Sequence, residues 1–383
     1  MTASPVETVA IVERILSEAF GGMVRIETED GLGGSDRSNV FRCNVLLGPS
    51  DTPKSVIVKQ ALTHGDEIYD PDSTEGPSWR LFNDWAGSQF LSDFSVTPSF
   101  YGGDREKGLI VIEDLGNGES LDQVLLGSDP VAAEEGLIEL AEVLGEMHAL
   151  TVGKRAEYDF LRDGLSARPK NSTTTEELLN GITHVCDAIG ITPHQEIRAD
   201  MQTISAFINR PGPFDAYTHG DPCPDNNLFI DGKMRLLDFE FGSFRHALID
   251  GVYGRIHFPT CWCVNRIPEH VVRKMEDAYR AELVQGCSEA ENDELFYRAV
   301  VEACAYWVTE IFRSLTNGLL EKENEWGIST VRQRALLRFD ILAQTTEEFG
   351  HLEAIGATAQ DMVEKLREFW PDVEEMPYYP AFR

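Results

Sequence analysis

The sequence predicts an α+β fold with two lobes, a small antiparallel sheet followed by a larger and mostly helical part. Strand-like runs rich in β-branched residues are concentrated before residue 114. From about residue 119 the apolar residues recur at helical spacing for most of the remaining chain. The composition changes at the glycine-rich residues 116–118, so we place the boundary there, with one lobe at residues 1–116 and the other at residues 117–383.

The first lobe is expected to open with a helix near residues 6–20, where apolar residues recur on one face. One further helix should lie near residues 79–91. Five strands are expected near residues 23–28, 40–47, 55–60, 96–101 and 108–113. Together these elements predict one small sheet that carries a single internal helix.

The second lobe is expected to be helical, with one β-hairpin as its only clear β element. Helices are predicted near residues 131–150, 174–188, 193–209, 246–257, 268–286, 290–315, 330–349 and 359–369. Asp231-Gly232 lies between two apolar-rich runs, which is the strongest short-range signal for a two-residue hairpin turn. In that register Asn226 faces Leu237, so Asn226 and Asp238 become near neighbours at the open end of the hairpin.

Residues 31–39 form a glycine-rich loop that joins one predicted strand to the next. A dinucleotide fingerprint or a P-loop would lead from a strand into a helix, and no Gly-Lys-Ser/Thr occurs here, so neither motif is present. Two interpretations stay open: the bare backbone folds over the phosphates of a nucleotide, or the segment is a flexible turn.

A single lysine, Lys59, lies in the apolar strand at residues 55–60. A lysine in such a strand is costly unless it is paired or bound to phosphate. Asp84 on the following helix is the best-placed acid to pair with it, ahead of Asp72 and Glu75, which lie at or before the helix start. The alternative is that Asp84 lies on a solvated helix face.

The most informative motif is His-Gly-Asp-Pro-Cys-Pro-Asp-Asn at residues 219–226, followed by Asp-Phe-Glu at residues 238–240. Asp221 can accept a hydroxyl proton, while Asn226 and Asp238 offer oxygen ligands of the kind that Mg²⁺ takes. These three groups are the minimal set for magnesium-dependent phosphoryl transfer, which depends on positioning more than on covalent chemistry. The alternative is a surface hairpin with incidental polar ends.

The overall composition is typical of a soluble globular protein. The 383 residues carry a formal net charge of −32, which should repel nucleic acid and anionic membranes. The same charge could attract a cationic substrate, or it could serve solubility alone. No apolar run approaches membrane-spanning length and the N-terminus lacks a signal pattern, so we expect a cytoplasmic protein.

The seven cysteines are dispersed, and reduced thiols are the default expectation. Cys261-Trp-Cys263 is the only close pair, and it lacks a second pair of ligands at zinc-finger spacing. Cys223 lies inside the motif at residues 219–226, where we expect it to fill space rather than to act as a nucleophile.

Taken together, these segments resemble the aminoglycoside phosphotransferase / choline kinase family, whose fold is protein-kinase-like. The resemblance extends to about residue 260 and rests most specifically on residues 219–226 with the Asp-x-Glu that follows. The other matching segments are Val-Ile-Val-Lys at 56–59, Ile-Val-Ile-Glu-Asp-Leu-Gly at 110–116, Leu-Gly-Glu-Met-His-Ala at 144–149 and Ala-Leu-Ile-Asp, which ends at Asp250. The resemblance implies a bilobal kinase that moves the γ-phosphoryl group of ATP or GTP to a hydroxyl, with Mg²⁺ as cofactor.

The resemblance also implies a role for each matching residue. Asp221 would act as the catalytic base or would orient the substrate hydroxyl, and His219 and Asp250 would support its loop. Asn226 and Asp238 would hold Mg²⁺, and Glu240 would assist the metal or the substrate. The nucleotide-binding residues would be Gly33, Gly34 and Ser35 over the phosphates, Lys59 braced by Asp84, and the backbone of Glu113 and Leu115 at the adenine edge.

The chain departs from the family pattern in two places. Asp84 stands where glutamate is usual, so its reach to Lys59 is shorter by one methylene, and the glycine loop is longer and more polar than the tightest ones. These departures leave the choice between ATP and GTP open. Nothing resembles the Arg-Asp catalytic loop or the Ala-Pro-Glu segment of protein kinases, which disfavours protein substrates.

The acceptor follows less directly from the sequence. The negative charge favours an aminoglycoside, an amino sugar or a choline-like amine, whereas a neutral sugar or alcohol fits the motifs equally well. Tyr253 and Trp262 could help to box a cation, or they could belong to the core. A nucleotide-binding pseudokinase or interaction protein on the same fold is a further alternative, although it would typically have lost one of the groups present at Lys59, Asp221 and Asp238.

Overall fold

A computed structural model describes residues 5–31, 38–63, 69–169 and 172–383. These residues form a small antiparallel sheet near the N-terminus and a mostly helical remainder, which confirms the predicted α+β fold class. In the described ranges, no helix is both long and apolar enough to cross a membrane.

Twelve helices and twelve strands lie in the described ranges. In chain order the helices are α1 (Pro5–Ala19), α2 (Gly76–Leu91), α3 (Leu121–Leu126), α4 (Pro130–Thr151), α5 (Arg155–Leu165), α6 (Thr175–Ile189), α7 (Ile197–Asn209), α8 (Leu248–Gly251), α9 (Glu269–Leu283), α10 (Asp293–Ser314), α11 (Val331–Phe349) and α12 (Glu353–Phe369). The strands are β1 (Arg25–Gly31), β2 (Ser38–Leu47), β3 (Ser55–Ala61), β4 (Phe100–Asp104), β5 (Leu109–Glu113), β6 (Glu119–Ser120), β7 (Asp215–Thr218), β8 (Asn227–Ile230), β9 (Lys233–Leu236), β10 (Ser243–His246), β11 (Glu325–Trp326) and β12 (Ser329–Thr330).

The chain divides into two compact units. The first contains Met1–Gly118, Lys154–Lys170 and Leu228–Ser243, and the second contains Glu119–Gly153, Asn171–Asn227 and Phe244–Arg383. Both units are therefore discontinuous in sequence. The predicted division into a nucleotide-binding lobe at residues 1–116 and a catalytic lobe at residues 117–383 stays a prediction.

The sheet of the first unit has the strand order β1-β2-β3-β5-β4, with every neighbouring pair antiparallel. Alternation along β3 sorts its side chains between two cores. Val56 and Val58 pack with α1 on one face, whereas Ile57 packs on the other face against the cluster that contains Phe82 of α2. Lys59 shares the parity of Ile57, so it too faces α2.

The hairpin β8–β9 also belongs to the first unit except for Asn227. Its turn residues Asp231 and Gly232 both have positive φ, 50° and 77°, as a two-residue type I′ turn requires. This geometry confirms the turn expected from Asp-Gly.

The second unit is built around packed helices. α4 and α9 approach closely at Gly145, where an added Cβ would lie 2.5 Å from the Tyr279 carbonyl oxygen, so only glycine fits. α10 contacts α6, α7, α8 and α11, and α11 packs against α12. Strands β7 and β10 pair with each other.

Several sequence expectations differ from the structure. The helix predicted at residues 246–257 is helical only over Leu248–Gly251; the chain continues in turns and then passes through His257 and Phe258, both with positive φ, into Pro259. The strand predicted from residue 96 begins only at Phe100. The short helices α3 and α5 were not predicted, nor were β6, β7, β10, β11 and β12, so the hairpin is not the only β element after residue 117. These strands and α3 have six residues or fewer, too short to show a clear period in the sequence, whereas α5 spans 11 residues with apolar and polar residues on separate faces and was simply missed.

Candidate active site

The loop after β7 is held by a buried acid on α8. Asp250 is 1% exposed and accepts hydrogen bonds from the backbone N–H of His219 at 2.6 Å and of Gly220 at 3.2 Å. Gly220 has φ +81°, a conformation that glycine adopts without strain. The Nδ1 of the buried His219 in turn accepts from the backbone N–H of Asp221 at 3.3 Å. His219 and Asp250 thus fix the backbone from which Asp221 projects.

The surroundings of Asp250 favour its charged form despite its burial. Burial by itself would raise the pKa of its carboxyl group, but hydrogen bonding and charge from His148, with the charges of Arg245 and His219, hold that pKa below its usual value. His148 Nε2 lies 3.5 Å from Asp250 Oδ2, and His148 Nδ1 lies 2.8 Å from the hydroxyl of Tyr279. No role was predicted for His148 or Tyr279, although His148 lies in the matching segment 144–149.

Asp221 is half-buried and is held through one carboxylate oxygen. Its Oδ1 accepts from the thiol of Cys223 at 3.0 Å and from the hydroxyl of Tyr253 at 3.1 Å, and it also accepts from the hydroxyl of Thr260. Within the described ranges every side-chain donor to Asp221 contacts Oδ1. Oδ2 is therefore the atom available to another hydroxyl. Thr260 was missed by sequence reasoning, because no motif marks it.

Asn226 ends a short 3₁₀ turn, Pro224–Asn226, that follows Cys223. Its backbone N–H donates to the Cys223 carbonyl at 2.8 Å, and its side-chain N–H donates to the Asp221 carbonyl at 3.0 Å. This second bond turns the amide nitrogen inward and leaves the amide oxygen to accept a cation. The predicted pairing of Asn226 with Asp238 stays a prediction.

In the first unit, Lys59 is bound by two carboxylates. Its Nζ lies 2.8 Å from Asp84 Oδ2 and 3.3 Å from Asp238 Oδ1. Burial alone would lower the pKa of Lys59, but the charges of Asp238 and Asp84 outweigh this effect and raise that pKa above its ordinary value. Lys59 is therefore a fixed cation. Asp84 is 4% exposed, so the alternative of a solvated helix face is wrong.

Asp84 also holds the chain beside Asp238. Its Oδ1 accepts from the backbone N–H of Phe239 at 3.0 Å and from the hydroxyl of Ser88 at 3.3 Å. Asp238 itself has φ +67°, a conformation that is uncommon for residues other than glycine. Its side chain is 40% exposed, so one face of this carboxylate stays accessible to a ligand.

The remaining predicted nucleotide residues are less defined. Gly33, Gly34 and Ser35 lie outside the described residues. The backbone N–H of Glu113 donates to the Ser99 carbonyl at 2.8 Å, and Leu115 is half-buried just after β5. Their predicted contact with the adenine stays a prediction.

Glu240 follows the hairpin and faces Arg80, with 3.6 Å between Arg80 Nε and Glu240 Oε2. The Glu240 carbonyl accepts from the Asn83 amide at 3.0 Å. Arg80 and Glu240 line the same small cavity as Lys59, Asp84 and Asp238. This arrangement places Glu240 beside the Lys59 cluster, and its predicted role stays a prediction.

The two aromatic candidates occupy different environments. Tyr253 is 1% exposed and packs edge-on against Trp307, with ring centroids 5.7 Å apart, so it belongs to the core while its hydroxyl reaches Asp221. Trp262 is 37% exposed, and its indole N–H donates to Asp225 Oδ2 at 2.9 Å. Only Trp262 presents an accessible ring.

No family model and no curated protein matches the chain. Similar solved structures include a choline kinase from Cryptosporidium parvum, at 12% identity and a TM-score of 0.44 over 95% of this chain and 96% of that one. A choline/ethanolamine kinase family protein from Mesorhizobium loti is 14% identical, with a TM-score of 0.43 over 92% and 99% of the two chains. A macrolide 2′-phosphotransferase from Brachybacterium faecium is 15% identical, with a TM-score of 0.41 over 82% and 99%. At these identities and TM-scores the similarities give no evidence on function. Any function must therefore be inferred from the residues of the site itself.

Proposed function

We propose that the protein is a small-molecule O-phosphotransferase that moves the γ-phosphoryl group of ATP or GTP to a substrate hydroxyl. The observation that carries this proposal is the binding of Lys59 by both Asp84 and Asp238. One carboxylate would suffice to neutralise a buried lysine. A second, which is 40% exposed, leaves one net negative charge where a divalent cation and a phosphate can bind together.

On the donor side, Lys59 would contact the nucleotide phosphates and would keep its positive charge as the pH changes. Asn226 and Asp238 are our proposed Mg²⁺ ligands. Two observations support this role: the Asn226 amide nitrogen is used in the bond to the Asp221 carbonyl, which leaves its oxygen as the ligand atom, and the Asp238 carboxylate is accessible. When bound, Mg²⁺ would neutralise charge on the phosphates.

On the acceptor side, Asp221 would receive the substrate hydroxyl at Oδ2. Cys223, Tyr253 and Thr260 donate hydrogen bonds to Oδ1 and so fix the orientation of its carboxylate. We therefore propose that Asp221 mainly aims the hydroxyl and accepts its proton as the phosphoryl group moves.

For the acceptor we propose a small hydroxylated amine, such as an amino sugar or a choline-like compound. The net charge of −32 supports this choice, because a cationic substrate is concentrated around an acidic protein. A panel of amines and neutral sugars, scored by phosphorylated product, tests it. Turnover of neutral acceptors alone would remove the support that we take from charge.

The chemistry itself is tested with Asp221→Ala. We expect turnover to fall by about 10²-fold or more while nucleotide affinity is retained, because Asp221 acts on the acceptor hydroxyl. Lys59→Met should instead weaken nucleotide binding. Asp187→Asn, an exposed acid on α6, is the matched control and should leave both unchanged. Full turnover by Asp221→Ala would refute the proposal, and nucleotide binding with no acceptor turned over by the wild type would favour a pseudokinase.

A further inference from the structure

Two cysteines and one aspartate gather within the second unit, and a third cysteine lies beside one of them. Cys223 Sγ, a carboxylate oxygen of Asp225 and Cys261 Sγ all lie within 4.8 Å of one another, and Cys263 Sγ lies 3.1 Å from Cys261 Sγ. In the sequence, Cys261-Trp-Cys263 lacked a second pair of ligands at suitable spacing. The fold supplies that pair from the loop that carries Asp221.

The backbone around these side chains is fixed by a buried arginine. Arg334 donates to the Cys261 carbonyl at 2.5 Å, to the Trp262 carbonyl at 3.1 Å and to the Ser329 hydroxyl at 3.0 Å. Trp262 in turn donates its indole N–H to Asp225 Oδ2 at 2.9 Å. Outer hydrogen bonds of this kind orient the ligands of metal sites.

The charges around the cluster are unbalanced as they stand. Arg334 is 2% exposed and Arg338 is 9% exposed, yet across the described ranges neither forms an ion pair with a carboxylate. Arg338 donates to the Pro259 carbonyl at 2.6 Å, and burial, followed by the charge of Arg334, lowers its pKa to about 9. Buried guanidinium groups without a counter-charge are costly. The ionisable groups around Arg334 include Cys261, Tyr379, Cys263, Cys223 and Arg338.

We propose that Cys223, Asp225 and Cys261 bind a thiophilic divalent cation of the zinc class as its three protein ligands. Two thiolates with one carboxylate are a ligand set that soft and borderline metals prefer, whereas Mg²⁺ requires oxygen. Binding would release one proton to solvent from each thiol, with no redox change. A divalent cation with two thiolates and one carboxylate would carry one net negative charge, which the buried guanidinium group of Arg334 would balance.

Metal binding at this cluster would change the hydrogen bonding of Asp221, because Cys223 contacts both. In the metal-free protein the Cys223 thiol donates to Asp221 Oδ1 at 3.0 Å. A metal-bound thiolate has no proton to donate, so Asp221 would lose one of its three donors. We therefore expect the metal to lower turnover, a consequence that rests on the proposed function, while the metal site itself does not.

The site is tested by metal binding to the full chain. The protein is reduced, stripped with a chelator, titrated with Zn²⁺ or Co²⁺ and passed over a desalting column, and bound metal is measured by mass spectrometry. We expect one equivalent per chain and a thiolate-to-cobalt charge-transfer band in the Co²⁺ form. Cys261→Ser should abolish both, whereas Cys304→Ser, a buried thiol on α10, should change neither.

Two further variants distinguish a loss of metal binding from a loss of the fold. Asp225→Asn alters an exposed residue and should weaken binding, and Trp262→Phe should weaken it by about 10- to 100-fold by releasing Asp225. The proposal is overturned if the reduced wild type retains no more metal than Cys223→Ser/Cys261→Ser. A normal Co²⁺ spectrum in Cys261→Ser would also overturn it. Inhibition by Zn²⁺ is scored separately, so loss of the transferase assignment leaves the metal result intact.

Discussion

Replacing Asp250 should show how much of the second unit's stability depends on one buried carboxylate. Asp250→Ala leaves the backbone N–H groups of His219 and Gly220 without their acceptor inside the protein. Each buried donor left unpaired costs about 1–3 kcal/mol, so the free energy of unfolding should fall by about 2–6 kcal/mol. Asp250→Asn keeps one acceptor oxygen and should lose roughly half as much.

The pH dependence gives this prediction a second measurement. The pKa of Asp250 is lowered on folding, so its ionisation stabilises the folded state above the ordinary carboxyl pKa, and that stabilisation is lost as pH falls below about 4. Urea unfolding followed by circular dichroism at neutral and acidic pH measures both effects. Asp187→Ala is the control and should stay within about 0.5 kcal/mol of wild type. A loss under about 1 kcal/mol in Asp250→Ala, or an acid limb that Asp250→Asn leaves unchanged, would refute the reasoning.

Two further substitutions probe the turn and the base. Gly232→Ala places a side chain in left-handed backbone at φ +77° and should lower the free energy of unfolding in urea by about 1–2 kcal/mol. Gly164 is exposed on α5 with open space around it, so the control Gly164→Ala should raise that free energy by about 0.5–1 kcal/mol. Equal effects of the two substitutions would contradict the turn geometry. Tyr253→Phe removes one hydrogen-bond donor to Asp221 and should lower kcat roughly five- to tenfold with the nucleotide KM unchanged. In the wild type the Tyr158 hydroxyl bonds the Gly242 carbonyl instead, so the control Tyr158→Phe should leave kcat unchanged.

Local patterns predicted the parts of the fold that depend on local chemistry. Alternation in β3 places Lys59 on the face opposite Val58, and the apolar side of α2 brings Asp84 to meet it. Asp231-Gly232 determined its own turn, because few residue pairs tolerate positive φ twice in succession. These features could be predicted from the sequence because each depends on residues that lie close together in the chain.

The missed features depend on contacts between distant segments. Thr260 bonds Asp221 across 39 positions, and His148 reaches Tyr279 across 131, so neither leaves a local signal. The same reason hid the approach of Cys223 to Cys261. The prediction of a helix at residues 246–257 was wrong for a different reason. The apolar residues of this segment are buried on all sides, and a buried segment without a polar face has no reliable hydrophobic periodicity.

The short side chain at position 84 limits which substitutions the chain can accept. Asp84 uses Oδ2 for Lys59 and Oδ1 for the Phe239 N–H, so it ties strand, helix and post-hairpin segment at one point. Glutamate at this position would add a methylene where the side chain is 6% exposed, and neither bond length could be kept without displacement. Glutamate in place of Asp84 would therefore need compensating changes around Phe239.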